Sequence, residues 1–501
     1  MHGRAVIVLL LSMVATASAE PRRERIVVET PTEAFAARPI SGISRTIYLE
    51  RCQGGCDVRG GSVNDAENLI STIPNPGSYR LDEFRDTAGE TGIAADAEWN
   101  QVVQCMKEVY SPFNVEVTDR KPAAAPYHLA IVAGSPGAVG LDPSILGVAP
   151  LANNCEAFDN VISFTFANAH DQTEVTARVL NLCWTAAQES AHAFGLDHEF
   201  EFADKRSACN DPMTYRFDCG GEKFYRNVRA TCGETTGRAC RCGATQNSHQ
   251  KLLSVFGAGT PITEPPTVVM TTPSLGGTTL PANVVAIAKA QRGVAKLTLF
   301  LNGFPFVEVP GGVFGPNGQV EQAYGLLVPA SLPDSIYDVF VRASDDLGAS
   351  SDTATVTVTK NAPCTTTAAC LAEQKCEAGR CQWDPPVGEL GDACTFAAFC
   401  KSFLCRGTVD QQICTQTCEP DDAAGCPEGL SCNQGICFFA PDNGGCCSTS
   451  SHPLRVGLLT LLVAFVLRRR RGASRVWKNP VRRIPSGERD QFFQQPANDN
   501  D

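Results

Sequence analysis

The stretch Thr185-Ala-Ala-Gln188-Glu189-Ser-Ala-His192-Ala-Phe-Gly195-Leu-Asp-His198, followed by Asp211-Pro-Met213-Thr-Tyr215, decides how this chain is read. One helix should run from about Gln172 to Phe194 and stop at Gly195, a residue that takes the left-handed conformation freely. On such a helix Gln188 and His192 are four apart and share a face, with Glu189 at its rim. A turn at Gly195 brings His198 back to the same point. Two imidazoles, an amide and a carboxylate then gather in one place.

Working outward, Arg45–Glu50 alternates like a strand, and Trp99–Tyr110 has helical spacing with Val102, Val103, Met106 and Val109 apolar. Asn114–Thr118, His128–Val132 and Val161–Phe166 read as further strands. Residues 41–258 are therefore expected to form a mixed α/β (α+β) domain.

This order of strands, first helix and motif resembles the metzincin zinc proteases. Their signature His-Glu-x-x-His-x-x-Gly-x-x-His is followed by a tight turn containing Met. The resemblance covers roughly residues 41–258. It implies that His192 and His198 bind zinc, that Glu189 is the general base toward water activated at the metal, and that Met213 forms an apolar floor. Gln188 stands where the family carries its first His ligand, and an amide oxygen is a poorer donor to zinc than an imidazole nitrogen. Tyr215, two places after Met213, matches a tyrosine that reaches the metal in some metzincins. It is a second candidate ligand, or a group that steadies an oxyanion.

Two functional readings stay open: a zinc-dependent endopeptidase acting on proteins or peptides, and a catalytically inactive protease fold serving binding, adhesion or structure. His128, His170 and His249 read as packed or surface residues. Cys183 on the motif helix, and Cys209 and Cys219 around the Met turn, read as braces.

Residues 259–362 change character. Short alternating runs at Leu297–Leu301, Tyr337–Arg342 and Thr353–Thr359, separated by Pro, Gly and Asn turns, imply an all-β Ig-like sandwich. The Pro-containing run 260–266 should be a stiff linker before it. Residues 363–440 hold an internal repeat: Cys370-x5-Cys376-x4-Cys381, Cys394-x5-Cys400-x4-Cys405 and Cys426-x5-Cys432-x4-Cys437. Units this small need staples, and the spacing suits structural disulfides better than zinc.

The ends carry address signals. His2 and Arg4, an apolar run from Ala5 to Ala15 and Ala17-Ser-Ala19 have the layout of a signal peptide over residues 1–19. Residues 20–40 are a linker or a short propeptide. At the other end Asn443-Gly-Gly-Cys446-Cys447, the apolar run Val456–Leu467 and Arg468–Arg471 resemble the tripartite sorting signals of myxobacterial surface proteins over residues 441–471. That resemblance implies a transmembrane segment, cleavage near Cys446 or Cys447 and outer-surface attachment, with the arginines inside. A basic tail, 472–501, follows.

The chain has 501 residues, 24 cysteines and a net charge of −12. Nine Lys/Arg against four acids leave +5 between Arg468 and Asp501, so the body carries −17. An acidic body argues against nucleic acid as a partner, and so many cysteines point to an oxidising, exported location.

Overall fold

The computed structural model describes residues 24–30 and 43–439, apart from 124–125, 159, 204–208, 217–220, 313–318, 409–410, 419–425, 428–429 and 434. The signal peptide and the sorting segment with Cys446 and Cys447 lie outside these residues. Among the described residues no helix is long and apolar enough to cross a membrane. The protein is multidomain and mostly β, with few helices and several disulfide-rich modules.

The N-terminal domain is built on strands β1 (Glu24–Thr30), β2 (Thr46–Glu50), β3 (Cys56–Gly60), β4 (Ile70–Ser71) and β5 (Gly77–Leu81). Helix α1 (Ile93–Tyr110) follows, then β6 (Glu116–Thr118), β7 (His128–Val132), β8 (Ile145–Ala152) and β9 (Ile162–Thr165). Helix α2 (Val175–Ala193), β10 (Glu199–Phe202), β11 (Ala230–Cys232) and α3 (Ser248–Phe256) complete it. The main sheet has the order β1-β8-β9-β7-β2-β6. Every pairing in it is parallel except β8 with β9.

Period-two alternation assigns the faces of this sheet. Ile47, Leu49, Ala130 and Val132 point toward α1 and α2, and Tyr48, Leu129 and Ile131 point toward a small sheet of order β4-β3-β5. Helix α1 starts at Ile93, six residues before the stretch that its apolar spacing predicts. Within residues 20–40, the stretch expected to be a linker or a short propeptide, 24–30 pair with β8 along its length.

Three contacts fix α2 against α1. Cys105–Cys183 is a disulfide with Cα atoms 6.0 Å apart. Arg178 Nη1 donates to Glu98 Oε2 at 2.9 Å, and both side chains are buried. Tyr225 Oη lies 2.8 Å from the Ala187 carbonyl oxygen and 2.9 Å from Tyr110 Oη. The last contact pins the helix one residue before Gln188.

The sandwich expected over 259–362 is present as two sheets. One is β12 (Thr267–Thr272), β13 (Asn283–Lys289) and β16 (Gln322–Leu327). The other holds β14 (Lys296–Leu301), β15 (Phe304–Pro310), β17 (Ser335–Ser344), β18 (Ser350–Asp352) and β19 (Val356–Lys360). Leu297, Leu299, Leu301, Tyr337, Val339 and Val341 fill its core. It is seated on the first domain by charge. Arg226 Nη1 donates to Asp346 Oδ2 at 2.8 Å, and Arg292 Nε donates to Asp346 Oδ1 at 2.7 Å. Phe224 lies under both guanidiniums.

In the three cysteine repeats the first and third cysteines pair with each other, as Cys370–Cys381, Cys394–Cys405 and Cys426–Cys437. The middle cysteine reaches outside the repeat. It goes upstream in the first and third copies (Cys364–Cys376, Cys418–Cys432) and downstream in the second (Cys400–Cys414).

Candidate metal centre

Helix α2 delivers Gln188, Glu189 and His192, all fully buried. Gly195 then takes φ +90°, and a Cβ there would lie 2.1 Å from the Cys155 carbonyl oxygen. Only glycine fits this turn, and the turn brings His198 back toward the helix. His192 Nε2 and His198 Nε2 are 3.0 Å apart, with ring planes nearly perpendicular.

The other nitrogen of each ring decides what that distance means. His192 Nδ1 lies 2.7 Å from the Leu196 carbonyl oxygen, which can only accept. His198 Nδ1 lies 3.1 Å from Glu234 Oε1. Each neutral ring therefore carries its proton on Nδ1 and presents a lone pair at Nε2. Two lone pairs facing each other at 3.0 Å repel unless a cation sits between them. Burial disfavours a proton in that role: it pushes the affinity of His192 well below its ordinary value, and His198 moves the same way for the same reason. The separation is less than twice the ~2.1 Å of a zinc–imidazole bond, so one ion can touch both rings.

Glu234 is the residue that sequence reasoning misses. It lies 36 positions beyond His198, in a loop closed by Cys232–Cys240. The pairing of β10 with β11 holds that loop beside His198, and Gly233 N donates to the His198 carbonyl at 3.0 Å. Arg238 donates to Glu234 Oε1 at 2.7 Å and to both oxygens of Asp197. The hydrogen bond from His198 and then Arg238 hold the Glu234 carboxyl well below the usual range. Asp197, His198 and Glu234 are close enough to hold an ion themselves, but the Arg238 guanidinium already bridges the two carboxylates. The one hint in the sequence is a charged pair, Glu234 and Arg238, four apart inside a two-cysteine bracket.

The remaining candidates cluster as follows. Tyr215 is half-buried, its ring centroid 4.5 Å from that of His198. Met213 is fully buried, and its carbonyl accepts from Glu199 N at 2.8 Å. Asp211 shapes that turn, accepting from Met213 N at 2.9 Å, Arg226 N at 2.8 Å and the Ser248 hydroxyl at 2.6 Å. The Glu189 carboxylate lies against β8, where a Cβ on Gly147 would come within 2.6 Å of Oε1. His128 is a packed residue: its Nε2 lies 2.9 Å from Ser163 Oγ, and burial lowers its pKa to about 3. The cysteine trios of the repeats are disulfide-bonded sulfurs, not thiolates. Cys209 is also disulfide-bonded.

No protein-family model matches the chain, and no curated protein matches it. Among solved structures it is similar to fibronectin(III)-like modules of Clostridium thermocellum CbhA at 13% identity, over 19% of this chain and 94% of that one, with a TM-score of 0.14. It is similar to wild-type OgpA from Akkermansia muciniphila at 10% identity, over 68% of this chain and 95% of that one, with a TM-score of 0.15. Likenesses this low carry no argument about family or function. The site has to be read from its own geometry.

Proposed function

We propose that residues 41–258 form a metzincin-like, zinc-dependent endopeptidase domain of an exported, surface-attached protein, acting on proteins or peptides. The observation that carries this reading is the pair of Nε2 lone pairs of His192 and His198, aimed at one point 3.0 Å apart in a buried site. Each ring is locked by an acceptor behind it.

His192 and His198 would hold the ion, with Gln188 or Tyr215 completing the set. Zinc bound there supplies Lewis acidity toward a carbonyl and toward water. The chain's own groups do the rest. Glu189 is the carboxylate that accepts a proton from water and returns it to the leaving amine. Tyr215, whose ring lies tilted against that of His198, would steady negative charge on a carbonyl oxygen. Met213, fully buried, would form the apolar floor under the ligands.

The substitution at Gln188 favours one rival, an inactive fold retained for binding. The full-length chain separates the two. Bound zinc near one ion per chain, with casein cleavage that falls at least a hundredfold in Glu189→Ala, is the expected result. A metal-free protein, or cleavage indifferent to that substitution, overturns the enzyme. Gln188→His should tighten zinc binding, since imidazole replaces an amide oxygen.

A further inference from the structure

Residues 222–226, Glu-Lys-Phe-Tyr-Arg, run between the first domain and the sandwich, and their side chains alternate between the two. On one side Glu222 Oε2 accepts from Gln291 Nε2 at 3.1 Å, and Phe224 lies under the Arg292 guanidinium. Arg226 Nη1 donates to the Arg292 carbonyl at 2.9 Å as well as to Asp346 Oδ2. All these partners belong to the sandwich.

The other side meets the candidate site. Lys223 Nζ donates to the Thr214 carbonyl at 3.1 Å and the Arg216 carbonyl at 2.7 Å, one on each side of Tyr215. Tyr225 Oη donates to the Ala187 carbonyl, next to Gln188. Side chains that take opposite sides at successive positions are what an extended backbone produces. The main chain adds two bonds to the Met turn: Phe224 N donates to the Asn210 carbonyl at 3.0 Å, and Arg226 N to Asp211 Oδ2 at 2.8 Å. The other oxygen of Asp211 holds Met213 N. Residues 223–226 are all buried. A buried charge stripped of its partner is costly, so the pairs at Asp346 fix where this strap lies.

We infer that Asp346 of the sandwich is a positioning residue for the candidate metal centre. Through the strap 222–226 it sets the Met turn and the motif helix, so docking of the sandwich and binding of a divalent cation favour each other. The link to metal rests on the reading proposed above; the link from Asp346 to the Met turn does not.

The full-length chain and Asp346→Asn test this, with hydrogen exchange reading each segment separately. Exchange over 210–215 should quicken in the variant at least tenfold more than exchange over 175–182 and 297–301, which report the two folds themselves. Zinc, measured in competition with a chelator, should bind the variant at least fivefold more weakly. Coupling is reciprocal, so zinc added to the parent should slow exchange over 345–349, on the sandwich side of the seam. That measurement needs no variant, and a merely structural Asp346 would not respond to zinc. If Asp346→Asn does not fold, Arg292→Lys replaces it, since it keeps a cation beside Asp346 but loses the paired N–H contacts of the guanidinium. Exchange over 210–215 that rises no more than in the reference segments overturns the inference, as does equal zinc affinity or no effect of zinc on 345–349. If the parent binds no zinc but 210–215 loosens in the variant, the positioning role of Asp346 stands and the metal reading falls.

Discussion

Glu234 shows how much a single distant side chain contributes to this site. Without it, His198 loses the acceptor that keeps its proton on Nδ1, and the ring is free to turn the protonated nitrogen toward His192. Glu234→Ala should therefore weaken zinc binding about 10- to 100-fold, as losses of outer carboxylate partners do. Glu234→Gln, which keeps an acceptor, should retain most of the affinity. Competition against a chelator measures both, and equal affinity in all three proteins would remove Glu234 from the site. Its role was not readable in the sequence: nothing local links position 234 to position 198. By contrast Gly195 and His198 were readable, because a helix end and its return are local events.

At the scale of elements, α2 is where sequence and structure agree most closely. It was expected over 172–194 and runs over 175–193, since helical periodicity and a glycine stop are both local signals. Strand β1 is the counter-example. Its place depends on an edge more than 110 residues away, and 20–40 shows little periodicity of its own. The disulfides fall between these cases. Even grouping was visible, but the middle repeat sends Cys400 downstream while its sisters turn upstream, and spacing does not record direction. Cys105–Cys183 closes a separation of 78 residues between the two long helices. Replacing both cysteines with Ala should cost about 2–5 kcal/mol, read as a lower midpoint in urea. An unchanged midpoint would show that the ion pair of Arg178 with Glu98 and the tyrosine contacts hold the helices unaided.

Across the whole molecule, the first domain and the sandwich meet at an ionic seam. Burial alone would push the Asp346 carboxyl up, but Arg292 and Arg226 outweigh it and hold it well below its ordinary range. A depressed carboxyl contributes stability that is fully present above the unfolded value of ~3.9 and is lost as pH falls below it. Urea unfolding of the full chain should therefore weaken between about pH 5 and pH 2. Asp346→Asn should be less stable at neutral pH and flatter over that window. A parallel loss with pH in both proteins would place the acid sensitivity elsewhere.

The cross-linked hairpins beyond the seam have a mechanical consequence. Each copy from 364 to 437 is closed by two sulfur bridges that interlock in sequence, so tension applied at the carboxyl end meets covalent loops rather than slack. Within each copy the chain between its outermost cysteines cannot be drawn out as a flexible tether can. Any extension under load is confined to the short segments between the copies, 382–393 and 415–417.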